Sequence, residues 1–258
     1  MRTLLNVSSS FIRHPSVFLE KKNYLLMIGH MRGYTTLIAH ILGSHPEITG
    51  YTENHIPYRN FVDLMRIRHR VGSLHGGHLP GRFVFDKLLH NFEISDWAIQ
   101  NQSIRFFITI REPIATLESI YRMKEKLSDG VTPDMEGDIL PNYIRRLDGI
   151  VDLAKRLKGN YFFMKGEDLV EDAEATLAAL TQWIGLDTAL KPEYQIFDQT
   201  GTAGFGDYSA NIQSGEILKA RTQSSPLVIS ETLKALAIEK YQTVLRQLSA
   251  GQKFSDSI

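Results

Sequence analysis

Four short apolar segments alternate with helical patterns along the chain, and this alternation constrains the fold more than any other feature of the sequence. The segments are rich in aromatic and β-branched residues, as is typical of strands buried on both faces of a sheet. They lie at residues 24–28, 82–85, 104–110 and 160–164. Parallel strands joined by helices form a sheet with helices packed on its faces. The pattern therefore predicts a three-layer α/β/α fold with a central parallel sheet.

The length of the chain fits a single domain over residues 1–258. A chain of 258 residues, 43% of them hydrophobic, can bury one sizeable core. Residues 1–22 precede the first predicted strand, and we interpret them as an N-terminal extension. Two stretches, 127–141 and 197–216, lack a clear period and are predicted to be long loops, which are often functional in compact domains.

Composition argues against several classes of function. Lys and Arg together number 29, as do Asp and Glu, so the chain lacks the basic excess typical of nucleic-acid-binding proteins. It has no cysteine, which excludes disulfides, thiolate metal ligands and a thiol nucleophile. No apolar run reaches the roughly 18 residues of a transmembrane helix, and the N-terminus lacks the apolar core of a signal peptide. We therefore expect a cytoplasmic protein without a transmembrane segment or a nucleic-acid partner.

The turn after the first predicted strand has the composition of an anion-binding loop. Its sequence, GHMRGYTT at residues 29–36, leads from an apolar strand into an apolar helix. Backbone N–H groups at a helix N-terminus favour an anion, and the fork of Arg32 matches phosphate or sulfate oxygens. Thr35 and Thr36 add hydroxyl donors, whereas the lysine of a Walker loop is missing. Helix capping alone also explains glycine and threonine at such a turn.

A second candidate anion site follows the strand at residues 104–110. Arg111 stands at the carboxyl end of that strand, and Pro113 suits the first turn of the next helix. Ser119 lies eight residues after Arg111, about two helical turns away. Ligands of open parallel sheets bind beyond the carboxyl ends of the strands, where both motifs are predicted to lie. An arginine that merely caps the sheet edge is the alternative interpretation.

With these two motifs the chain resembles the sulfotransferases that use 3′-phosphoadenosine 5′-phosphosulfate (PAPS). The family pattern R-S-G-T-T-L, which cradles the 5′-phosphosulfate, reads RGYTTL at residues 32–37. The family's Arg-x-Pro turn with a serine eight residues later, which binds the 3′-phosphate, is matched by Arg111, Pro113 and Ser119. Further resemblance lies in HPEITGYTE, GEDLVEDAEATLAALTQWIGL and FGDYSANIQSG, so that the likeness spans about residues 23–215.

The resemblance implies a P-loop-like fold and sulfuryl transfer from PAPS to a hydroxyl acceptor by in-line displacement. The product is 3′,5′-ADP, and no metal is expected. The acceptor is a small molecule, a lipid or a carbohydrate; neither its identity nor the oligomeric state can be read from the sequence, and a homodimer is one option. The cofactor-binding residues implied are Arg32, Gly33, Tyr34, Thr35, Thr36, Arg111, Ser119 and Gly206.

The resemblance also implies three candidate catalytic residues. Glu53 matches the glutamate that acts as general base in Golgi-type and several bacterial members, and Lys87 matches the lysine near the leaving group. His90 is the runner-up base, because it misses the family's Lys-x-His spacing by one residue. Two other departures concern the cofactor: Tyr34 stands where glycine is common, and residues 199–201 read Gln-Thr-Gly near the position of a family Arg-Lys-Gly.

Two other functions stay open at this stage. A P-loop nucleotide or small-molecule kinase shares a similar fold, but it needs a Gly-Lys-Ser/Thr turn and an aspartate that holds Mg²⁺. A PAPS-binding protein without catalysis would keep the anion motifs and lack a working base. The HGGH stretch at residues 75–78 lacks a carboxylate and a helical histidine pair, so we interpret it as a polar loop and predict no metal ligand.

Overall fold

The computed structural model describes residues 16–127, 131–202, 210–218 and 229–253. Its strands are β1 (Asn23–Ile28), β2 (Ile48–Thr49), β3 (Phe83–Leu88), β4 (Ile104–Ile110) and β5 (Phe162–Lys165). Its α-helices are α1 (Ser16–Leu19), α2 (Thr35–Gly43), α3 (Phe61–Leu74), α4 (Asp96–Gln100), α5 (Pro113–Leu127), α6 (Leu140–Leu157), α7 (Asp168–Glu171), α8 (Ala173–Ile184) and α9 (Glu231–Gly251). A π-helical turn (Met135–Ile139) precedes α6, and a 3₁₀ turn spans Ala210–Ser214.

The five strands form one parallel sheet in the order β2-β3-β1-β4-β5. The predicted parallel sheet is confirmed, and its four predicted strands agree with β1, β3, β4 and β5 to within two or three residues at their ends. The edge strand β2 was not predicted, since two residues are too few to show a period. Because all strands run the same way, the segments after β1, β3, β4 and β5 meet at one edge of the sheet.

Helices cover both faces of the sheet, so the three-layer prediction is confirmed. Alternate residues of β1 point to opposite faces: Leu26 and Ile28 join one core, and Leu25 and Met27 join the other. The first core is completed by α3, α5, α6 and α9, and the second by α2 and α8. No helix among the described residues is both long and apolar enough to cross a membrane.

The predicted loop at 127–141 and the interpreted N-terminal extension at 1–22 both contain short helical segments. Within 127–141, α5 ends at Leu127, and the π-helical turn leads directly into α6, whose first turn contains Pro141. Within 1–22, α1 packs on α3: Val17 is buried, and Arg68 Nη1 donates to the backbone oxygen of Phe18 at 2.9 Å. Residues 127–141 were predicted to be a loop because a π-helical turn of five residues is too short to show helical periodicity.

Strand β3 carries a buried carboxylate that fixes the chain segment after β2. Asp86 Oδ1 accepts hydrogen bonds from Asn54 N at 3.0 Å and from Asn54 Nδ2 at 2.9 Å. Its Oδ2 accepts a hydrogen bond from the Tyr58 hydroxyl at 2.7 Å. Burial raises the pKa of Asp86 to about 7, although these hydrogen bonds oppose the shift. The segment that contains Glu53 and His55 is thereby tied to β3.

Asp86→Asn should remove a pH-dependent loss of stability. The pKa of Asp86 in the folded state, about 7, lies above the ordinary value of 3.8. The protonated carboxyl group of Asp86 therefore contributes its full stabilisation at pH values below 3.8. This stabilisation is lost as the pH rises through the folded-state pKa of about 7. The neutral asparagine lacks this loss. Urea denaturation from about pH 5 to about pH 8 should thus show wild type losing free energy of unfolding relative to the variant.

The matched control is Asp152→Asn, at a carboxylate whose side chain is 73% exposed. Its difference from wild type should not change over the same range. A constant difference between wild type and Asp86→Asn would mean that Asp86 does not titrate in the folded state as described.

Candidate functional site

The turn between β1 and α2 has a strained backbone that brings the helix N-terminus close to the strand end. Arg32 and Tyr34 have φ angles of 62° and 60°, in the left-handed region that non-glycine residues enter at a cost of about 1–2 kcal/mol. Tyr34 thus adopts a backbone conformation that glycine enters at little steric cost. Its ring lies under the Arg111 guanidinium, 4.3 Å from the guanidinium carbon to the ring centroid, and packs over Gly166.

The two predicted anion motifs meet in the structure. Arg32 Nε donates a hydrogen bond to Ser119 Oγ at 2.8 Å, and Arg111 Nη1 donates to the backbone oxygen of Arg32 at 2.8 Å. Arg32, which the resemblance implies for the phosphosulfate together with Thr35 and Thr36, thus contacts the second motif through its Nε. Arg32 combines a left-handed backbone with a side chain that reaches Ser119 on α5.

Glu167 supplies a carboxylate next to Arg111. Its Oε1 lies 3.9 Å from Arg111 Nε and accepts a hydrogen bond from the backbone N–H of Glu112 at 2.9 Å. The GEDL segment after β5 supplies this carboxylate, and Gly166 N donates to the oxygen of Ile110 at 2.8 Å. The chain segments that follow β4 and β5 are therefore joined by hydrogen bonds next to Arg111.

A histidine that sequence reasoning missed connects the two motifs. His30 Nδ1 lies 2.9 Å from the backbone oxygen of Met31, so this nitrogen carries the proton. The other ring nitrogen, Nε2, accepts a hydrogen bond from the backbone N–H of Arg111 at 2.9 Å. Burial lowers the pKa of His30 to about 4, which keeps the ring neutral at physiological pH. Its only signal in the sequence is its position two residues after a buried strand.

Lys87 brings a positive charge beneath the first motif. It pairs in register with Met27 on the adjacent strand β1, and only 1% of its surface is exposed. Its Nζ donates to Thr36 Oγ1 at 3.3 Å, and the neighbouring Thr35 is also buried. The helix N-terminus, this ammonium group and the two hydroxyl groups together favour an anion. The resemblance implies that Lys87 lies near the leaving group; the structure places it beside Thr36 of the first motif.

Glu53 and His90 form a hydrogen-bonded pair, although the sequence presented them as competing candidates. Glu53 Oε1 accepts from the backbone N–H of Leu89 at 3.0 Å and from His90 Nδ1 at 3.0 Å. Burial alone raises the pKa of Glu53, but the bonds from His90 and Leu89 and the nearby histidine charges hold it below its usual value. The bond to Glu53 in turn raises the pKa of His90.

Arg146 of α6, also missed from the sequence, ties the two halves of the site together. Its guanidinium donates to the backbone oxygen of Gly29 at 2.7 Å, to that of Leu88 at 2.6 Å and to Asn91 Oδ1 at 2.7 Å. These acceptors follow or end β1 and β3. Burial lowers the pKa of Arg146 to about 10, so it keeps its charge at neutral pH. The amphipathic pattern of α6 gave no sign of this inward-facing arginine.

The structure thus gathers most of the predicted site residues at the carboxyl edge of the sheet. Gly33 closes the first turn, where its N–H donates to the oxygen of His30 at 3.3 Å. Gly206 lies outside the described residues. Chemically, the edge offers a strongly electropositive loop pair for phosphate or sulfate groups and, after β3, a carboxylate–imidazole pair able to accept a proton.

Comparisons with known proteins identify the fold. No family model matches the sequence, and no curated protein matches it. Solved sulfotransferases do match the structure. The sulfotransferase domain of the Synechococcus PCC 7002 olefin synthase has a TM-score of 0.59 at 16% identity, with 87% of this chain and 96% of that chain covered.

Two further structures agree. The sulfotransferase domain from the curacin biosynthetic pathway has a TM-score of 0.56 at 13% identity, with 89% of this chain and 98% of that one covered. A sulfotransferase from Mycobacterium tuberculosis H37Rv has a TM-score of 0.51 at 14% identity, with 95% and 82% covered. At these identities the likeness concerns the fold, and it confirms the expected one: the chain has the fold of the sulfotransferases.

Proposed function

We propose that this protein transfers a sulfuryl group from PAPS to a hydroxyl acceptor. The observation that carries the proposal is the junction of the two anion motifs, in which Arg32 contacts Ser119 and Arg111 contacts Arg32. A nucleotide with phosphate groups at both its 5′ and 3′ positions requires two anion sites at a fixed separation. The sulfotransferase fold, with both motifs at the carboxyl edge of its sheet, supports the same function.

We assign the 5′-phosphosulfate to the N-terminus of α2, with Gly33, Thr35, Thr36 and Lys87, and the 3′-phosphate to Arg111 and Ser119. Arg32 lies between these groups, and we propose that it supplies the positive charge that the Gln-Thr-Gly of residues 199–201 lacks. Tyr34 acts by holding the Arg111 guanidinium against its ring. Gly206 stays a proposal that rests on the resemblance alone.

In the proposed reaction, the acceptor oxygen attacks sulfur in line with the leaving group. The bond from sulfur to the bridging oxygen of the 5′-phosphate breaks, and 3′,5′-ADP leaves. The protein contributes mainly position and charge stabilisation, as in phosphoryl transfer. Lys87 and the N-terminus of α2 stabilise the charge that develops on the leaving phosphate, because both lie at the first motif.

The proton of the acceptor goes to the pair formed by Glu53 and His90. Glu53 is the base predicted from the sequence, and its lowered pKa keeps it ionised at neutral pH. Because His90 donates to Glu53 Oε1, the proton-accepting capacity belongs to both groups together rather than to either one. The pair is most basic when His90 is neutral, which requires a pH above its raised pKa.

We further propose that the acceptor is a small molecule, a lipid or a carbohydrate, and that the protein is located in the cytoplasm. Two alternatives also remain, a P-loop kinase and a PAPS-binding protein without catalysis. A kinase would prefer ATP to 3′,5′-ADP, so the nucleotide preference distinguishes it from the proposed enzyme. A PAPS-binding protein without catalysis would show no sulfate transfer from PAPS.

Calorimetry in the presence of EDTA should show tight binding of 3′,5′-ADP and much weaker binding of 5′-AMP and ATP. Arg111→Ala should weaken 3′,5′-ADP binding by about 1.5–3 kcal/mol, the range for hydrogen bonds to charged groups, and leave 5′-AMP binding nearly unchanged. Arg145→Ala, on the exposed side of α6, is the matched control and should bind both nucleotides as wild type does.

Equal affinities of wild type for 3′,5′-ADP and 5′-AMP would mean that Arg111 and Ser119 do not form a 3′-phosphate site. Thermal denaturation of ligand-free Arg111→Ala separates a binding role from a bracing role. If Arg111 only braces the sheet edge, Arg111→Ala should lower the melting temperature, and the folded variant should still bind 3′,5′-ADP with wild-type affinity.

Glu53→Gln should lower turnover roughly 10²–10⁴-fold, the usual span of general acid–base catalysis, with little change in 3′,5′-ADP affinity. The measurement is single-turnover sulfate transfer at saturating PAPS, to the acceptor that a panel of hydroxylated lipids, sugars and phenols identifies. Glu93→Gln, at an exposed carboxylate, is the matched control and should keep full activity.

The pH dependence of transfer tests whether Glu53 and His90 act together. Wild-type activity should fall as pH decreases through the raised pKa of His90, above its ordinary 6.5. In His90→Gln this acid limb should move down into the range of a carboxyl group, with a smaller loss of turnover than in Glu53→Gln. An unmoved limb in His90→Gln would contradict the pair, and near-normal turnover in Glu53→Gln with collapse in His90→Gln would assign the base to His90 alone.

A further inference from the structure

Glu53 and His90 have a third neighbour, His55, which the proposed reaction does not use. His55 Nδ1 lies 3.9 Å from Glu53 Oε1, and the rings of His55 and His90 are 5.9 Å apart between centroids. We propose that Glu53, His55 and His90 form a binding site for Zn²⁺ at the carboxyl edge of the sheet. We call these three residues the zinc triad.

The ligand atoms of the zinc triad are already close to the required separation. One donor atom from each residue can be chosen so that all three lie within 4.8 Å of one another. Ligands of tetrahedral zinc lie about 2.0–2.2 Å from the metal, which places them about 3.3 Å apart. Glu53 Oε1 and His90 Nδ1 are 3.0 Å apart, so movement of the His55 ring alone closes most of the remaining gap.

Two of the ligands are held by the buried network around Asp86. Glu53 and His55 flank Asn54, whose backbone and side chain both donate to Asp86 Oδ1. His55 has a φ angle of 54°, in the left-handed region, where histidine is among the more frequent non-glycine residues. The backbone N–H of Leu89 fixes Glu53 from the other side. Such secondary hydrogen bonds orient metal ligands and raise affinity.

The donor set favours zinc over the common hard cations. Two imidazoles and one carboxylate suit Zn²⁺, whereas Mg²⁺ and Ca²⁺ prefer oxygen ligands throughout. The side chains of His55 and His90 are 51% and 54% exposed, so a hydrated metal ion can reach them and retain water as a fourth ligand.

Two features limit the affinity. Zinc must displace the proton on His90 Nδ1, and it must tolerate the charged Arg146, whose field already disfavours protonation of His90. We therefore expect binding in the micromolar range rather than the tight binding of structural zinc sites.

Zinc bound to the zinc triad would occupy the lone pairs that accept the acceptor's proton, and sulfuryl transfer would stop. This consequence rests on the proposed function, whereas the binding itself does not. The site would therefore act as a reversible inhibitory site, in a protein whose proposed reaction needs no metal.

The test is calorimetric titration of chelator-treated full-length protein with zinc chloride. Wild type should bind one zinc ion per chain with micromolar affinity and should not bind magnesium chloride. His55→Ala should weaken zinc binding at least about tenfold, since even the loss of an outer partner costs that much. The matched control is His78→Ala, an exposed histidine outside the triad, which should bind zinc as wild type does.

Circular dichroism checks that His55→Ala is folded, and His90→Gln provides a second ligand variant with the same expected loss. Absence of micromolar zinc binding in wild type would overturn the proposal. Wild-type zinc affinity in both His55→Ala and His90→Gln would overturn it as well, by assigning the metal to other groups. Neither readout depends on sulfuryl transfer, so failure of this proposal and failure of the proposed function are distinguishable.

Discussion

The neutral ring of His30 is the contact on which the arrangement of the anion-binding edge depends. It donates to the backbone of its own loop and accepts from the backbone of Arg111, so one imidazole sets the separation of two loops that follow different strands. A protonated ring could not accept the Arg111 N–H, and it would add a charge beside Arg111 and Arg146. Burial prevents that protonation, and the positive charges are left to face an incoming anion.

A second buried group, Asp86, organises the other half of the site. Successive side chains of a strand point to opposite faces, so Asp86 reaches Asn54 and Tyr58 while Lys87 reaches Thr36. A single dipeptide in β3 therefore supports the proton-accepting pair through one face and the anion loop through the other. Arg146 then joins the ends of β1 and β3, which places both halves on one rigid frame.

The sequence predicts what depends on local pattern. Short stretches of about ten residues or fewer encode the four longer strands, the turn before α2 and the spacing from Arg111 to Ser119. The structure contains all of these features. The contacts of His30 with Arg111 and of Arg146 with Gly29 join residues 81 and 117 positions apart, and no spacing rule reveals them. His90 illustrates the limit: β3 ends at Leu88, so strand alternation no longer fixes the next side chains, and a one-residue misfit does not keep His90 from Glu53.

Tyr34 has a consequence that reaches beyond the shape of its turn. A glycine at this position would adopt the same backbone angle with less strain, but it would leave the guanidinium of Arg111 without a surface to lie on. With the tyrosine ring in place, Arg111 loses rotational freedom when the chain folds rather than when a ligand arrives. Ordering a long side chain at a binding site costs about 0.5–1.5 kcal/mol. In this protein the entropy cost of ordering Arg111 lowers the stability of the folded chain, so it does not lower the affinity for the anion.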